Sequence, residues 1–311
     1  MIEIFKNPRY DFIGKRRWAY LISSAITVIA SVSLVVQGLR YDVDFTGGTL
    51  IQVRFSAPTG IERLRTALDT LRLGDSVIQQ FDDPREYIIR TQEQPSSSQE
   101  LAKRIQAALS TDRSLGQVEI RRVDFVGPQV GRDLQMQAIY VVLAGIIAIL
   151  AYIGFRFDLK GGVAAAVAIV HDVIVCLGAL SLTRHEFSQP VLAGLLTVVG
   201  YSVNDTIVAY DRLREDRANR IPSSKSFAEQ MNDAVNQTLS RTILTSLTTF
   251  FAAVTLLAFG GSALEGFAFV LTVGILTGTY STTYIAAALV VDWTIYVERP
   301  QQVGRPQRRI T

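Results

Sequence analysis

The stretch VVGYSVNDTIVAYDRLRE, residues 198–215, places an amide, Asn204, and a carboxylate, Asp205, inside a long apolar run. An apolar run of about 20 residues is long enough to cross a bilayer as a helix. An ionised Asp in such a helix costs at least about 2.5 to 3.5 kcal/mol, so it faces the protein interior, a partner charge or water. The stretch therefore predicts a transmembrane helix with a candidate proton-carrying group at Asp205. The alternative is a permanent hydrogen bond between helices.

The rest of the chain repeats this apolar pattern. The whole chain has 311 residues, of which 49% are hydrophobic and 19% charged. Blocks of at least about 18 mostly apolar residues, enough to span a bilayer, lie near 18–38, 137–155, 162–183, 190–211, 243–260 and 265–291. We therefore predict an α-helical polytopic membrane protein with six transmembrane helices.

Basic residues set the expected orientation of these helices. Lysine and arginine are concentrated in every second connector, at 6–17, 212–225 and 299–309. Because basic connectors stay on the cytoplasmic side of a membrane, both termini are expected in the cytoplasm. These stretches do not interleave with aromatic residues as a nucleic-acid-binding surface does.

Cysteine and histidine are too scarce to form a metal centre. Cys176 is the only cysteine, and His171 and His185 are the only histidines. We therefore expect no intrachain disulfide, no metal site and no bound cofactor.

The polar region 40–134, between the first two helices, is long enough to be a domain. Alternating or β-rich stretches at 49–56, 76–81, 86–91 and 118–126 predict strands, and 61–72 and 98–110 have helical spacing. This βαββαβ order predicts an α+β ferredoxin-like domain outside the cytoplasm. The chain then divides into 1–39 (cytoplasmic N-terminus and first helix), 40–134, 135–297 (helices two to six) and 298–311 (cytoplasmic tail).

Glycine-rich motifs bracket this domain. The first contains Phe45, Thr46, Gly47 and Gly48, and the second contains Gly127 and Gly131. Neither has the Gly-Lys-Ser/Thr sequence of a phosphate-binding loop, so we expect tight turns where the chain passes between domain and membrane. We add Gly200, which precedes the Asn204–Asp205 pair in the stretch 198–215, to these structural motif residues.

The membrane part holds a second intramembrane carboxylate. His171-Asp172 and Asn204-Asp205 are each followed by x-Ile-Val, which places one Asp in the third helix and one in the fourth. Asp172 should lie close to the bilayer midplane. His171 is a candidate relay, although neighbouring residues on a helix point about 100° apart. Arg241, expected in the polar lead-in to the fifth helix, is a candidate partner for Asp205 or a basic anchor at a helix end.

Several of these motifs, in this order, resemble the SecF family of protein-export membrane subunits, within the RND superfamily. The motifs that carry the resemblance are DFTGG (44–48), FVGPQVG (125–131), HDVIV (171–175), GYSVNDTIVAYDRLRE (200–215), TLSRTILTSLTT (238–249) and FGGSALEGF (259–267).

The resemblance implies a subunit of a bacterial inner membrane that is not an enzyme. It would act with SecD, the SecY/SecE/SecG channel and a YajC-like accessory subunit on unfolded exported polypeptides, driven by the proton gradient. In that family, residues at the positions of Asp205 and Arg241 are implicated in proton conduction.

Three other interpretations remain open at this stage. The chain could be a stand-alone RND-like transporter of small molecules, although it supplies only one six-helix half. It could be an intramembrane aspartyl protease using Asp172 and Asp205, although the Gly-x-Gly-Asp pattern is missing. It could also be a passive scaffold, and the residues do not distinguish protons from sodium ions.

Overall fold

We describe the protein from a computed structural model, which covers residues 8–74, 76–81, 83–91, 98–111, 115–218 and 225–298. In chain order the elements are α1 (Arg16–Val36), β1 (Arg40–Tyr41), α2 (Val43–Thr46), β2 (Gly48–Phe55), α3 (Ile61–Asp69), β3 (Val77–Gln80), β4 (Glu86–Thr91), α4 (Ser98–Thr111), β5 (Val118–Val126), α5 (Pro128–Arg156), α6 (Leu159–Thr183), β6 (Glu186–Phe187), α7 (Gln189–Ala218), α8 (Phe227–Phe259), α9 (Ser262–Ser281), a π-helical turn (Thr282–Ala286), α10 (Ala287–Trp293) and a second π-helical turn (Thr294–Glu298).

Six helical spans in the described residues are long and apolar enough to cross a membrane, which confirms the predicted number. The sixth is composite and runs from α9 through the π-helical turns. At the centre of the bundle, α6, α7 and α9 contact one another, while α1 and α5 pack on α6, and α8 packs on α7 and α9.

Two spans begin earlier than their apolar blocks indicated. Helix α5 begins at Pro128, because proline is favoured in the first turn. This start lies within region 40–134, which we call the soluble domain. Helix α8 begins at Phe227, where Ser226 and Glu229 form a reciprocal capping box. The prediction that Arg241 lies in a lead-in to the fifth helix is therefore wrong, since Arg241 lies well inside α8.

The soluble domain contains a four-stranded antiparallel sheet in the order β3-β4-β2-β5. Ile51, Val53 and Phe55 alternate along β2 and are buried in the same core as Leu64 of α3 and Ile105 of α4. Alternate residues of a strand point to the same face. The sheet therefore buries one face under both helices.

The domain is joined to the membrane helices at a compact junction. Strand β1, which follows α1, pairs in parallel with β6, which connects α6 to α7. Gly47 has φ +73°, and a Cβ added to Gly131 would lie 2.7 Å from the Gly47 nitrogen. Helix α5 therefore approaches the backbone before β2 more closely than any larger residue at 131 permits.

Candidate functional site: two buried carboxylates

Asp172 lies at the meeting point of three helices. Its side chain is in α6 and is only 1% exposed. The hydroxyls of Ser202 in α7 and Ser281 in α9 each donate a hydrogen bond of 2.7 Å to its Oδ2. His171 Nδ1 lies 3.0 Å from Oδ1. Both oxygens of this carboxyl group thus contact polar side chains, as burial of a polar group requires.

His171 and Asp172 meet although they are neighbours on one helix. Adjacent residues on a helix point about 100° apart, so this contact was not expected from the sequence. The 3.0 Å separation shows that the side-chain torsions of the two residues turn them towards each other. His171 Nε2 is buried and makes no hydrogen bond to the described residues. The imidazole therefore interacts with Asp172 through one nitrogen only.

A local break in the sixth span completes the polar centre. The π-helical turn begins at Thr282, immediately after Ser281. Thr282 Oγ1 donates to the Ser202 carbonyl oxygen at 3.2 Å and lies 3.1 Å from Thr206 Oγ1. π-Helical turns inside α-helices are frequent at functional sites. Here the turn brings the hydroxyls of two successive residues, Ser281 and Thr282, to α6 and α7.

Asp205 lies one turn after Ser202 and has a different environment. It is 4% exposed, and its Oδ2 accepts no hydrogen bond from the described residues. The Ser246 hydroxyl of α8 and the charge of Arg241 both act on this carboxylate. Ser246 Oγ also accepts a 2.8 Å hydrogen bond from Thr279 of α9. A buried carboxylate with an unsatisfied oxygen is suited to receiving a proton.

Asn204 and Arg241 face an open cleft beside this position. The cleft has a volume of about 1050 Å³ and also includes Asp211 and Gln237 in its lining. Both Asn204 and Arg241 are exposed. Within the described part of the chain, Arg241 forms no ion pair with Asp205 at 4.0 Å or less. The two residues therefore lie on adjoining helices, with Asp205 buried and Arg241 at an open surface.

The residues of the two motifs that bracket the domain lie at the domain junction rather than beside the carboxylates. Gly47 and Gly48 both have positive φ. The Phe45 carbonyl oxygen accepts a 2.7 Å hydrogen bond from Gln135, and Thr46 Oγ1 donates to the Asp42 carbonyl oxygen at 3.3 Å. Gly127 is the N-cap of α5 and Gly131 lies in its first turns, so neither residue forms a separate tight turn. Gly200 has open space around it in α7.

A charged cluster connects the soluble domain to this junction. Arg90 of β4 lies 3.0 Å from Asp42 and 2.6 Å from Glu186. Burial raises the pKa of Glu186 above its ordinary value, against the opposing effect of Arg90. Burial also raises the pKa of Asp44, and the negative charge of Asp42 adds to this effect.

The hydroxyl residues around the carboxylates were not identified from the sequence. Ser202 was recognisable only as a polar neighbour of Asp205 on the same helix, and Ser246, Ser281 and Thr282 carried no prediction. The signal was the run Ser281-Thr282-Thr283, since consecutive hydroxyls in a membrane span need acceptors.

Together, the fold and the site define a multi-pass helical membrane protein with one soluble domain of strands and helices and a buried polar centre. Comparison with known proteins is consistent with this class. The family model described as "Protein export membrane protein SecD/SecF, C-terminal" matches residues 105–295, and the "SecD/SecF GG Motif" model matches 32–59. The chain belongs to the SecD/SecF protein-export family.

The curated relatives agree over most of the chain. It is 43% identical to the protein translocase subunit SecF of Desulfurispirillum indicum, covering 91% of both chains. It is 40% identical to the SecF subunit of Pseudomonas aeruginosa, covering 90% of each chain. These relatives support an accessory role in Sec protein export.

A solved structure shows the same fold. The crystal structure of SecDF, a translocon-associated membrane protein from Thermus thermophilus, superposes with a TM-score of 0.82 at 37% identity. The match covers 93% of this chain and 39% of the SecDF chain. The chain thus corresponds to one part of a longer SecDF polypeptide, which supports association with SecD.

Proposed function

We propose that this protein acts with SecD beside the SecY/SecE/SecG channel, together with a YajC-like subunit, and uses the proton gradient to promote late steps in the export of unfolded polypeptides. The observation that carries the proposal is Asp205, a carboxylate buried in the bundle with one oxygen that accepts no hydrogen bond from the described residues. Protons are the coupling ion, and the chain has no catalytic role of its own.

Asp205 is the group that loads and releases the proton. When it is ionised, Ser246 and the charge of Arg241 stabilise it. When it is protonated, the attraction to Arg241 is lost, and α7 and α8 are free to shift relative to each other. The membrane potential supplies about 2.3 kcal/mol per charge per 100 mV, enough to bias such a shift.

Asp172 stays in place during this movement, and His171 remains in contact with it. Hydrogen bonds from α7 and α9 tie Asp172 to both neighbouring helices. Asn204 lines the open cleft by which protons reach the region of Asp205.

The soluble domain is, in this proposal, an extracytoplasmic ferredoxin-like domain, and both termini are cytoplasmic. The strand order β3-β4-β2-β5 and the two helices on one face support the ferredoxin-like assignment. Helix α7 begins at Gln189, directly after β6, whose Glu186 is bound by Arg90 of the domain. A shift of α7 would therefore reach the domain through this junction.

The test is the Asp205→Asn variant in the intact complex with SecD. We expect assembly to be retained and stimulation of export by the proton gradient to be lost, measured as translocation into inverted membrane vesicles. Asp216→Asn is the matched control, because Asp216 lies on the same helix but pairs with Arg212 at its end. Normal proton-dependent export by Asp205→Asn would refute the proposal, and stimulation by a sodium gradient alone would refute proton coupling.

A further inference from the structure

A second cavity lies at the other end of the bundle from the soluble domain. It has a volume of about 390 Å³ and lies between the α5–α6 connector, the end of α7 and the start of α8. Tyr210, Leu213 and Met231 are buried and form an apolar wall. Lys160, Arg214 and Arg217 supply three cations, against the single carboxylate of Asp158. The cavity is therefore apolar inside and positively charged at its edge.

The charges at this edge are only partly neutralised by the protein. Asp158 Oδ1 accepts a 2.7 Å hydrogen bond from the Gly161 nitrogen, and its Oδ2 lies 3.8 Å from Lys160. Among the described residues, no carboxylate lies within 4.0 Å of Arg214 or Arg217. The neighbouring Arg212, in contrast, pairs with both Glu215 and Asp216.

An aromatic ring positions two of these cations. Lys160 Nζ and the Arg217 guanidinium lie 5.4 and 5.3 Å from the centre of the Phe227 ring. Cation–π contacts at these distances hold a cation without neutralising its charge. The Arg217 guanidinium can therefore still attract an anion.

We propose that this cavity binds the phosphate-ester head group of an anionic phospholipid. Arg214 and Arg217 donate to the phosphate oxygens, since guanidinium groups match phosphate geometry. The apolar wall receives the glycerol and the first carbons of the acyl chains. The chains continue over the surface beside the cavity, where Leu159, next to the lining residue Lys160, is 68% exposed. A soluble phosphate would use the cations alone and would leave this wall without a role.

The test is retention of phosphatidylglycerol by the purified full-length chain, measured by native mass spectrometry from mixed micelles with phosphatidylcholine as the neutral lipid. We expect the wild type to retain phosphatidylglycerol selectively and the Arg214→Gln/Arg217→Gln variant to bind it at least about tenfold more weakly. Arg212→Gln removes a paired cation from the same helix and should retain the wild-type affinity.

Two results would overturn the proposal. Equal retention by Arg214→Gln/Arg217→Gln and Arg212→Gln would show that these cations do not bind the head group. Displacement of phosphatidylglycerol by inorganic phosphate as readily as by phosphatidylglycerol itself would show that the site recognises a free anion. If the double variant does not fold, the single variant Arg217→Gln replaces it, and weaker binding of phosphatidylglycerol is again expected.

Discussion

Two aspartates on adjacent helices are buried to a similar degree but differ in their hydrogen bonds. Asp172 has both oxygens occupied, by two serine hydroxyls and by His171. Asp205 has one oxygen without a partner in the described residues. Because a satisfied buried network rigidifies its surroundings, Asp172 fixes three helices in place. In the proposed function, this oxygen is where Asp205 takes up its proton.

Replacing Ser202 with Ala tests the structural role of Asp172. The substitution removes one of the two hydroxyl donors to a buried carboxylate, which should lower the free energy of unfolding by about 1 to 3 kcal/mol. Thermal unfolding of the full chain in detergent measures the change. Thr197→Val is the control, since Thr197 is exposed on the same helix and donates only to its own helix, at the Ala193 carbonyl oxygen. Equal stability of the two variants would contradict the role assigned to Ser202.

At the scale of secondary-structure elements, the sixth span packs closely against α7. A Cβ added to Gly274 would lie 2.1 Å from a Val198 methyl, and one added to Gly278 would lie 3.1 Å from the Ser202 Cβ. Small residues four positions apart allow membrane helices to approach closely. The structure shows that the partner of these two glycines is α7.

Gly274→Ala should separate these helices. Even one methyl group has no space against Val198, so we expect destabilisation of about 1 to 3 kcal/mol from overpacking. Gly145→Ala is the matched control, because no atom lies within 4 Å of the Cβ added at Gly145 in α5. The measurement is again thermal unfolding in detergent. A Gly274→Ala protein as stable as Gly145→Ala would mean that the α7–α9 contact adjusts freely.

The whole molecule depends on a small charged junction between its two parts. Arg90 of the domain lies between Asp42, which follows α1, and Glu186, which precedes α7. Removing one residue from a partly buried charged cluster leaves the remaining charges unpaired where there is little water to solvate them. The position of the domain is therefore coupled to the ends of two membrane helices.

The raised pKa of Glu186 gives this junction a defined pH dependence. The folded protein holds a proton on Glu186 more tightly than the unfolded chain, so the contribution of Glu186 to stability falls as the pH rises through its folded pKa. Glu186→Gln does not titrate and lacks this dependence. As the pH falls from about 7 to about 5, the melting temperature of the wild type should therefore rise relative to that of Glu186→Gln. A difference that is constant or changes in the opposite direction would contradict this sign.

Prediction from the sequence succeeded where the signal was local. Six spans follow from apolar length, and the burial of Asp205 follows from the cost of charge in a membrane. The partners of Asp172 could not be predicted in this way, because Ser202 and Ser281 come from distant parts of the chain.

The start of α8 was missed because its first half is not apolar. Asn232 and Asn236 in this half bind the backbone of residues 10–13, including a 2.8 Å hydrogen bond from the Tyr10 nitrogen to Asn236. This part of the helix is stabilised by contact with the N-terminal segment, which hydropathy does not report. The Ser226–Glu229 capping box was the local signal available in the sequence.

The π-helical turn at Thr282–Ala286 changes the direction in which side chains point along the sixth span. Before the turn, Ser281 points at Asp172; after it, Asp292 receives hydrogen bonds from Arg16 and Tyr20 of α1. Each residue of a regular α-helix advances the side-chain direction by about 100°. Without the wider turn, Ser281 and Asp292 would no longer face their separate partners together. The turn thus changes the direction of the second polar contact relative to the first along a single helix.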